Sequence, residues 1–405
     1  MRQSKSKLKI LALVLISISL VLGACQSKPP KLTPAVPSPS GQSPLPSQVA
    51  TRLAEHATPT PIPSATPWPV ASDTPQPEPR QNTLGFVNPL TGLTVNRPSL
   101  LRERPVLVKI ANWPESLRPA DGLNKADMVF EYFIGAQSNH LLALYYGDDH
   151  EHVGPLGPGR VVDARIAEHM QGQLIVASAD DIVGDVLESY LNRRYTMRGF
   201  APCPAICTET LAQGGNTFVN TDAVRNELAK KSDENFIPSL FGLKFSKTAP
   251  DSSDDALRFS FMYADFSVMD WRFNEDSGAY ELWQDKKVSA GEYTLSKSED
   301  LGSGEPIAFE NIIFLFSNYF NYRNLFFDIN FKDGGTEQRG ILLRDGKLYH
   351  IRWGAEGFDQ PFLFYDLEGE PFLLKPGKTW VTLATMDSNI EQVDEGEWDM
   401  HFILK

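Results

Sequence analysis

The sequence predicts an α+β protein in which an α/β domain is followed by a mainly β domain. Three observations lead there. Between residues 84 and 245, strand-length apolar segments alternate with apolar stripes at helical spacing. From residue 256 to 405 nearly every apolar segment is strand-length and is punctuated by Asp-, Ser- and Gly-containing turns. Residues 25–83 are too poor in large apolar side chains to join a core.

The chain opens with Arg2, Lys5, Lys7 and Lys9 and no acid, followed by an apolar run from Leu8 to Leu22. A basic start and a greasy core of about 15 residues is the pattern of a secretion signal, short of the ~20 that span a bilayer. The run ends in Leu22-Gly23-Ala24-Cys25, which resembles the lipobox of bacterial lipoproteins. That resemblance implies a signal peptide over residues 1–24 and a diacylglycerol on the Cys25 thiol. The protein then faces the extracytoplasmic side of the cell membrane, and its acyl chains supply the membrane contact. Residues 25–83 form the next region, with half of the chain's 30 prolines between Pro29 and Pro79 among Ser, Thr, Ala and Gln. Such a segment reads as a semi-rigid stalk rising about 3.1 Å per residue.

The formal charge is −13, and removing the signal deletes four positive charges and no negative one. So acidic a chain excludes nucleic acid and anionic lipid surfaces, which both select basic patches.

In the first domain, 84–245, strands are expected at 105–111, 128–134, 141–146 and 174–177. Helices are expected at 161–170, after Asp180-Asp181, and at 221–231 with Thr221 or Asp222 as cap. Residues 246–255 are polar and mark the boundary. In the second domain, 256–405, strands are expected at 257–263, 269–273, 280–284, 312–316, 340–344, 348–353, 361–365, 371–374 and 380–384. Asp345-Gly346, between Leu-Leu-Arg and Lys-Leu-Tyr-His, is the strongest hairpin signal. With Cys25 taken by lipid, Cys203 and Cys207 remain. Outside the cytoplasm a small disulfide loop is the expected pairing, ahead of a redox or zinc role.

These residues resemble the YerB-like lipoproteins, bacterial envelope proteins built from two domains. In the first domain the likeness rests on Asn88-Pro-Leu-Thr-Gly92, Arg104-Pro105 and Arg118-Pro119. It continues through Gly122-Leu123, Ala126-Asp127 with Glu131, Leu142-Ala-Leu144, and Gly154-Pro155 with Arg160. In the second it rests on Trp271, Gly278-Ala-Tyr280, Glu310-Asn-Ile-Ile313, Asp345-Gly-Lys347 and Leu374-Lys-Pro-Gly-Lys-Thr-Trp380. The resemblance implies a location and an architecture, with no known reaction. Asn139-His140 stands where the family tends to carry Thr-Arg, and 154–160 departs from its Gly-Pro-Val-Arg-Ser-type loop. An anion-binding role carried by those family positions therefore does not transfer directly to this chain.

No motif demands a metal or a cofactor. Asp148-Asp-His-Glu-His152, with Glu168-His169, could in principle ligate a divalent ion, but a charged, solvated loop explains the run. Glu131 and Asp163 flank expected strand ends and are the candidate acid–base pair for a hydrolase of cell-wall polymer. The glycines of 154–159 could offer backbone amides to an anion, or simply form a rigid turn. Arg118, Asp127, Arg160, Trp271 and Trp353 are the candidate ligand-binding residues. The tryptophans would stack on sugar rings or peptides if exposed and pack the core if not. The reading that follows is an envelope binding protein rather than an enzyme, its partner a wall glycan, a peptide or an envelope protein. The carboxylate hydrolase is the alternative. A transporter's solute-binding lipoprotein would want two similar lobes, and these halves are unlike.

Overall fold

The computed structural model describes residues 86–405, apart from 212–213, 231–235, 253, 324–325, 332–337, 356 and 358–359. The expected signal peptide, Cys25 and the stalk lie outside the described residues.

The first region contributes β1 (Val106–Ile110), β2 (Met128–Gly135), β3 (Ser138–Tyr145), α1 (Val161–His169), β4 (Gln173–Val176), α2 (Asp181–Leu191) and β5 (Tyr195–Met197). A hairpin of β6 (Ile206–Leu211) and β7 (Gly214–Val219), then α3 (Thr221–Ala229) and β8 (Lys244–Phe245), complete it. The second region begins with β9 (Arg258–Ala264), β10 (Ser267–Asn274), β11 (Ala279–Ser289), β12 (Glu292–Lys297) and β13 (Ala308–Phe309). It continues with β14 (Asn311–Arg323), β15 (Phe326–Asn330), β16 (Gln338–Arg344), β17 (Lys347–Gly354) and β18 (Leu363–Tyr365). It ends with β19 (Leu373–Leu374), β20 (Thr379–Thr385), β21 (Asn389–Asp394) and β22 (Glu397–His401).

Among the described residues the strands of both regions enter one large sheet, ordered β18-β17-β16-β14-β20-β2-β3-β1-β4-β5, with β15 against β14. The join is β20, which lies parallel to β14 on one side and to β2 on the other. Its residues 379–385 are buried throughout, as a central strand covered on both faces requires. A smaller sheet, β12-β11-β10-β9-β22-β21 with β13 on β11, comes wholly from the second region. The molecule is mostly β, with few helices.

The large sheet separates two cores. Val108, Val129, Ile312, Phe314 and Trp380 on one face pack against Phe259, Phe261, Trp271 and Tyr280 of the small sheet. Leu107, Phe130, Tyr132, Leu315 and Val381 on the other face pack against Val162 and Ile166 of α1 and Leu187 and Leu191 of α2. The alternation of side chains along each strand sends adjacent residues to opposite cores. This rule decides the fate of the candidate carboxylates below.

The expected helices form at 161–169, 181–191 and 221–229. Asp180 caps α2, its Oδ1 accepting from the Val183 N–H at 2.9 Å. The cap of α3 is Asn220, whose Oδ1 accepts from the Ala223 N–H at 2.9 Å, instead of Thr221 or Asp222. Thr221 is engaged elsewhere, donating to Asp149 Oδ1 at 2.8 Å. Asp345 and Gly346, with φ of 53° and 74°, make the two-residue turn between β16 and β17.

Candidate functional site

The strands β1, β4 and β5 run parallel, and β2 runs the same way because β1 and β2 are both antiparallel to β3. Their carboxyl ends therefore share one edge, where α/β sheets place ligands. A cavity of about 380 Å³ opens there. Ala111 follows β1, Ala177 follows β4, Arg198 follows β5, and Ile134 closes β2, all in its wall. Trp113, Leu117, Pro155 and Pro158 add an apolar lining, and Asn216 and Thr217 come from β7.

The loop 154–159 that carries Pro155 and Pro158 is pinned on three sides. Ala111 N donates to Pro155 O at 2.9 Å, Gly157 N to Lys109 O at 2.8 Å, and Leu156 N to Thr217 O at 2.7 Å. Gly159 N donates to Ser178 O at 2.8 Å. At Gly154 a Cβ would fall 2.9 Å from Thr217 O, so the hairpin's approach excludes any side chain. The loop is a rigid turn whose amides serve the protein, the reading preferred over an amide cradle for an anion.

Positive charge reaches the cavity from side chains. Arg160 stands at the N-terminus of α1 and exposed Arg198 at the end of β5. The helix N-terminus adds its own partial positive charge. His140 on β3 is 3% exposed, lies in the cavity wall, and sits in register with Tyr132. Its Nε2 is 3.4 Å from Trp113 O, while Nδ1 has no hydrogen-bond partner. Burial, together with nearby Lys109 and Arg160, holds its pKa well below the usual imidazole range.

Directly beneath lies a sealed polar cluster. Lys109 Nζ donates to Tyr132 Oη, Tyr132 Oη donates to Asp163 Oδ1, and Lys109 Nζ is 3.3 Å from that same oxygen. Lys109 and Asp163 side chains have no solvent exposure. Asp163 Oδ2 also accepts from the Arg160 N–H at 2.7 Å, so the ion pair anchors the start of α1. Burial lowers the Lys109 pKa to about 8 against the opposing pull of Asp163, and raises the Tyr132 hydroxyl well above its ordinary value.

The two carboxylates expected as an acid–base pair are not brought together. Asp163 meets Tyr132 on the helix face of the sheet, whereas Glu131, one residue earlier, points into the opposite core. Glu131 is fully buried; it accepts from Trp380 Nε1 at 2.8 Å, Thr382 Oγ1 at 2.9 Å and Asn139 Nδ2 at 2.5 Å. Burial raises its pKa against those donors. Two carboxylates on opposite faces of a sheet cannot flank one scissile bond, so Glu131 and Asp163 do not form an acid–base pair.

Of the candidate ligand-binding residues, only Arg160 lines the cavity. Trp271 and Trp353 are fully buried, Trp271 edge-on to Trp380 with centroids 5.0 Å apart, so neither can stack on a sugar. Arg118 ties the two regions together, donating to Asn112 O at 3.0 Å and to Asp285 O at 2.9 Å. Asp127 clamps the 88–92 turn, accepting from Asn88 Nδ2 at 2.9 Å, Tyr146 N at 2.6 Å and Gly147 N at 2.9 Å. Burial pushes its pKa up to about 6 despite those amides.

His150 and His152 do not meet Asp148, Glu168 or His169. Instead His152 lies 2.6 Å from Asp121 and 3.0 Å from Glu209, and His150 lies 3.4 Å from Asp121. Among the described residues no group of three such side chains could hold a metal ion. Cys203 and Cys207 are joined by a disulfide, with Cα atoms 4.7 Å apart. Arg198 and Trp113 were not singled out by sequence reasoning, and Arg198 gives no local signal. His140 was marked only by the departure of Asn139-His140 from the family pattern.

The comparisons agree with this architecture. Residues 90–234 match the family described as "Protein of unknown function (DUF3048) N-terminal domain", and residues 259–381 match its C-terminal domain. A Bacillus subtilis (strain 168) protein described as "Putative lipoprotein YerB" is 26% identical over 332 residues, covering 76% of this chain and 89% of that one. The crystal structure of YerB protein from Bacillus subtilis superposes with a TM-score of 0.59 at 20% identity, over 74% of this chain and 96% of that chain. The two matched regions stand in the same order as the two expected from the sequence, and the chain belongs to the YerB-like family.

Proposed function

We propose that this chain is a lipid-anchored extracytoplasmic binding protein whose ligand, a peptide or anionic piece of cell-wall polymer, seats in the cavity at the carboxyl edge of the large sheet. The single observation that supports it is the cavity itself, with Arg160 and Arg198 in the wall of one small space in an otherwise acidic protein. Cationic side chains gathered in a concave, largely apolar pocket are the ordinary means of fixing an anionic ligand. Cys25 would carry the lipid, and the stalk of residues 25–83 would hold the α/β and β-rich regions away from the membrane. Among the described residues no helix is long and apolar enough to cross a membrane.

The test uses the full chain in detergent, incubated with purified sacculi and sedimented. The wild type is expected in the pellet with no soluble fragments released. Arg198→Glu is expected to weaken retention about tenfold, the worth of one charge-assisted contact. Retention that ignores the Arg198 substitution would move the site elsewhere, and released fragments would make the protein a hydrolase.

A further inference from the structure

The hairpin of β6 and β7 supplies part of the cavity wall, and one histidine ties it down. Glu209 pairs across the hairpin with Asn216, and Cys207 with Phe218, so Glu209, Asn216 and Phe218 share one face. Asn216 lines the cavity, while His152 lies over Phe218 with ring centroids 3.8 Å apart and planes 18° from parallel. His152 Nδ1 is 2.6 Å from Asp121 Oδ2, and its Nε2 is 3.0 Å from Glu209 Oε1. Ionised carboxylates only accept hydrogen bonds, and a neutral imidazole carries a single N–H. Both contacts together therefore call for the doubly protonated ring. Although burial favours its neutral form, the bonds from His150 and His152 hold the Asp121 carboxyl below the ordinary carboxylate range, so Asp121 brings no proton of its own. The other charged groups nearby are few. His150, from the same loop, has its Nε2 3.4 Å from the second Asp121 oxygen. Loop 300–305 closes on Asp121 at Gly302, but its Asp300 carboxylate is turned to the Asn124 and Ser303 amides at 3.3 Å each.

We infer that His152 is a pH-operated latch on the hairpin wall of the cavity: its imidazolium ties Glu209 to Asp121, and loss of one proton releases Glu209 and loosens the segment that carries Asn216. The remaining proton stays toward Asp121, whose contact is the shorter and whose side chain is 5% exposed, against 42% for Glu209. Losing a donor costs a buried carboxylate more than one that water can reach. The sign follows: the tie is complete below the histidine range and lost above it, so acid conditions favour the closed wall. The root of the hairpin does not depend on the latch. Val153 and Val219 exchange backbone hydrogen bonds at 2.9 Å, Leu156 N donates to Thr217 O at 2.7 Å, and the Cys203–Cys207 disulfide sits at the start of β6. Release is therefore felt beyond that root, at the pairs Glu209–Asn216 and Thr210–Gly215. The latch rests on the binding role proposed above and adds a regulation of that site.

Hydrogen exchange of the full chain in detergent reads the latch with no ligand present. Protection factors, corrected for the intrinsic effect of pH on exchange, are compared at about pH 5.5 and about pH 8.5, either side of the ordinary histidine value of about 6.5. Protection of the β6 and β7 amides, taken relative to α2, is expected to fall about tenfold across that step, the worth of one charge-assisted hydrogen bond. His140 adds nothing to the step, because burial holds it neutral throughout. In Glu209→Gln the step is expected to vanish, since an amide accepts from the imidazolium and donates to the neutral ring. In His150→Gln it is expected to remain. Exchange in α2 like that of the wild type establishes that both variants fold. A wild-type step of less than about twofold, or one that survives Glu209→Gln, overturns the latch. So does a step abolished by His150→Gln, which would make His150 the titrating group. Sedimentation with purified sacculi at the same two pH values reads the consequence, and the wild type is expected to lose retention more steeply than Glu209→Gln. If the exchange step is present but both proteins lose retention alike, the regulation of the site is overturned and the binding role stands. If neither protein is retained at either pH, the binding role fails and the latch, read by exchange, is upheld.

Discussion

Lys109 carries its ammonium where water does not reach, and the residues around it explain why it is tolerated. Tyr132 and Asp163 complete its hydrogen bonds, and Asp163 in turn holds the first turn of α1. Removing one member of a buried pair leaves the other charge uncompensated, so Lys109→Met is expected to cost about 3–5 kcal/mol in chemical unfolding. Pairing it with Asp163→Asn should recover part of that loss. The pH dependence has a definite sign. The native lysine loses its proton near pH 8, whereas the unfolded one keeps it to about 10.4. Between those values the unfolded state binds more protons, so this residue makes stability rise with pH from about 8 toward 10. Lys109→Met should lack that rise; a variant that keeps it would show that another group is responsible. Neither this cluster nor the burial of Glu131 was legible in the sequence. Alternation reveals that Glu131 and Tyr132 take opposite faces, but not that both faces are covered.

Helices and central strands were the legible elements. The stripe Val183, Leu187, Leu191 and the cap Asp180 are local features, and α2 forms where they indicate. The α3 cap was misplaced by one residue because Asn220, Thr221 and Asp222 are all competent, and Thr221 is drawn away by Asp149. Asn220→Ala is accordingly expected to cost about 1 kcal/mol in thermal unfolding, with Asn220→Asp near neutral. Equal losses in both variants would mean that the side-chain oxygen is not what matters. Strands β12 and β21 were missed for a physical reason. They are the exposed edges of the small sheet and rich in polar residues, as edges that must resist pairing with another chain should be, and so lack the apolar alternation of an interior strand. The expected strand at 312–316 continues to Arg323 because Ser317 still pairs with β20 and the residues from Asn318 on pair with β15.

At the scale of the whole molecule, the two matched regions share a sheet and a polar seam. Trp380 and Thr382 donate to Glu131, Asn139 joins Glu131 to Asn112, and Gln284 Nε2 reaches Asn112 Oδ1 at 3.3 Å. Pairing β2 with β20 joins segments about 250 residues apart, and no local pattern encodes such a partner. The order of the regions was legible, while their fusion through β20 was not. The cavity belongs entirely to the first region, at residues 111–217. The account therefore predicts where a ligand should act on the backbone. Hydrogen exchange of the full chain, with and without solubilised wall fragments, tests this most directly. Slowed exchange confined to residues 111–117, 155–160 and 216–217 is the expected result. Protection on the small sheet, with the cavity segments unchanged, would contradict the assignment of the site.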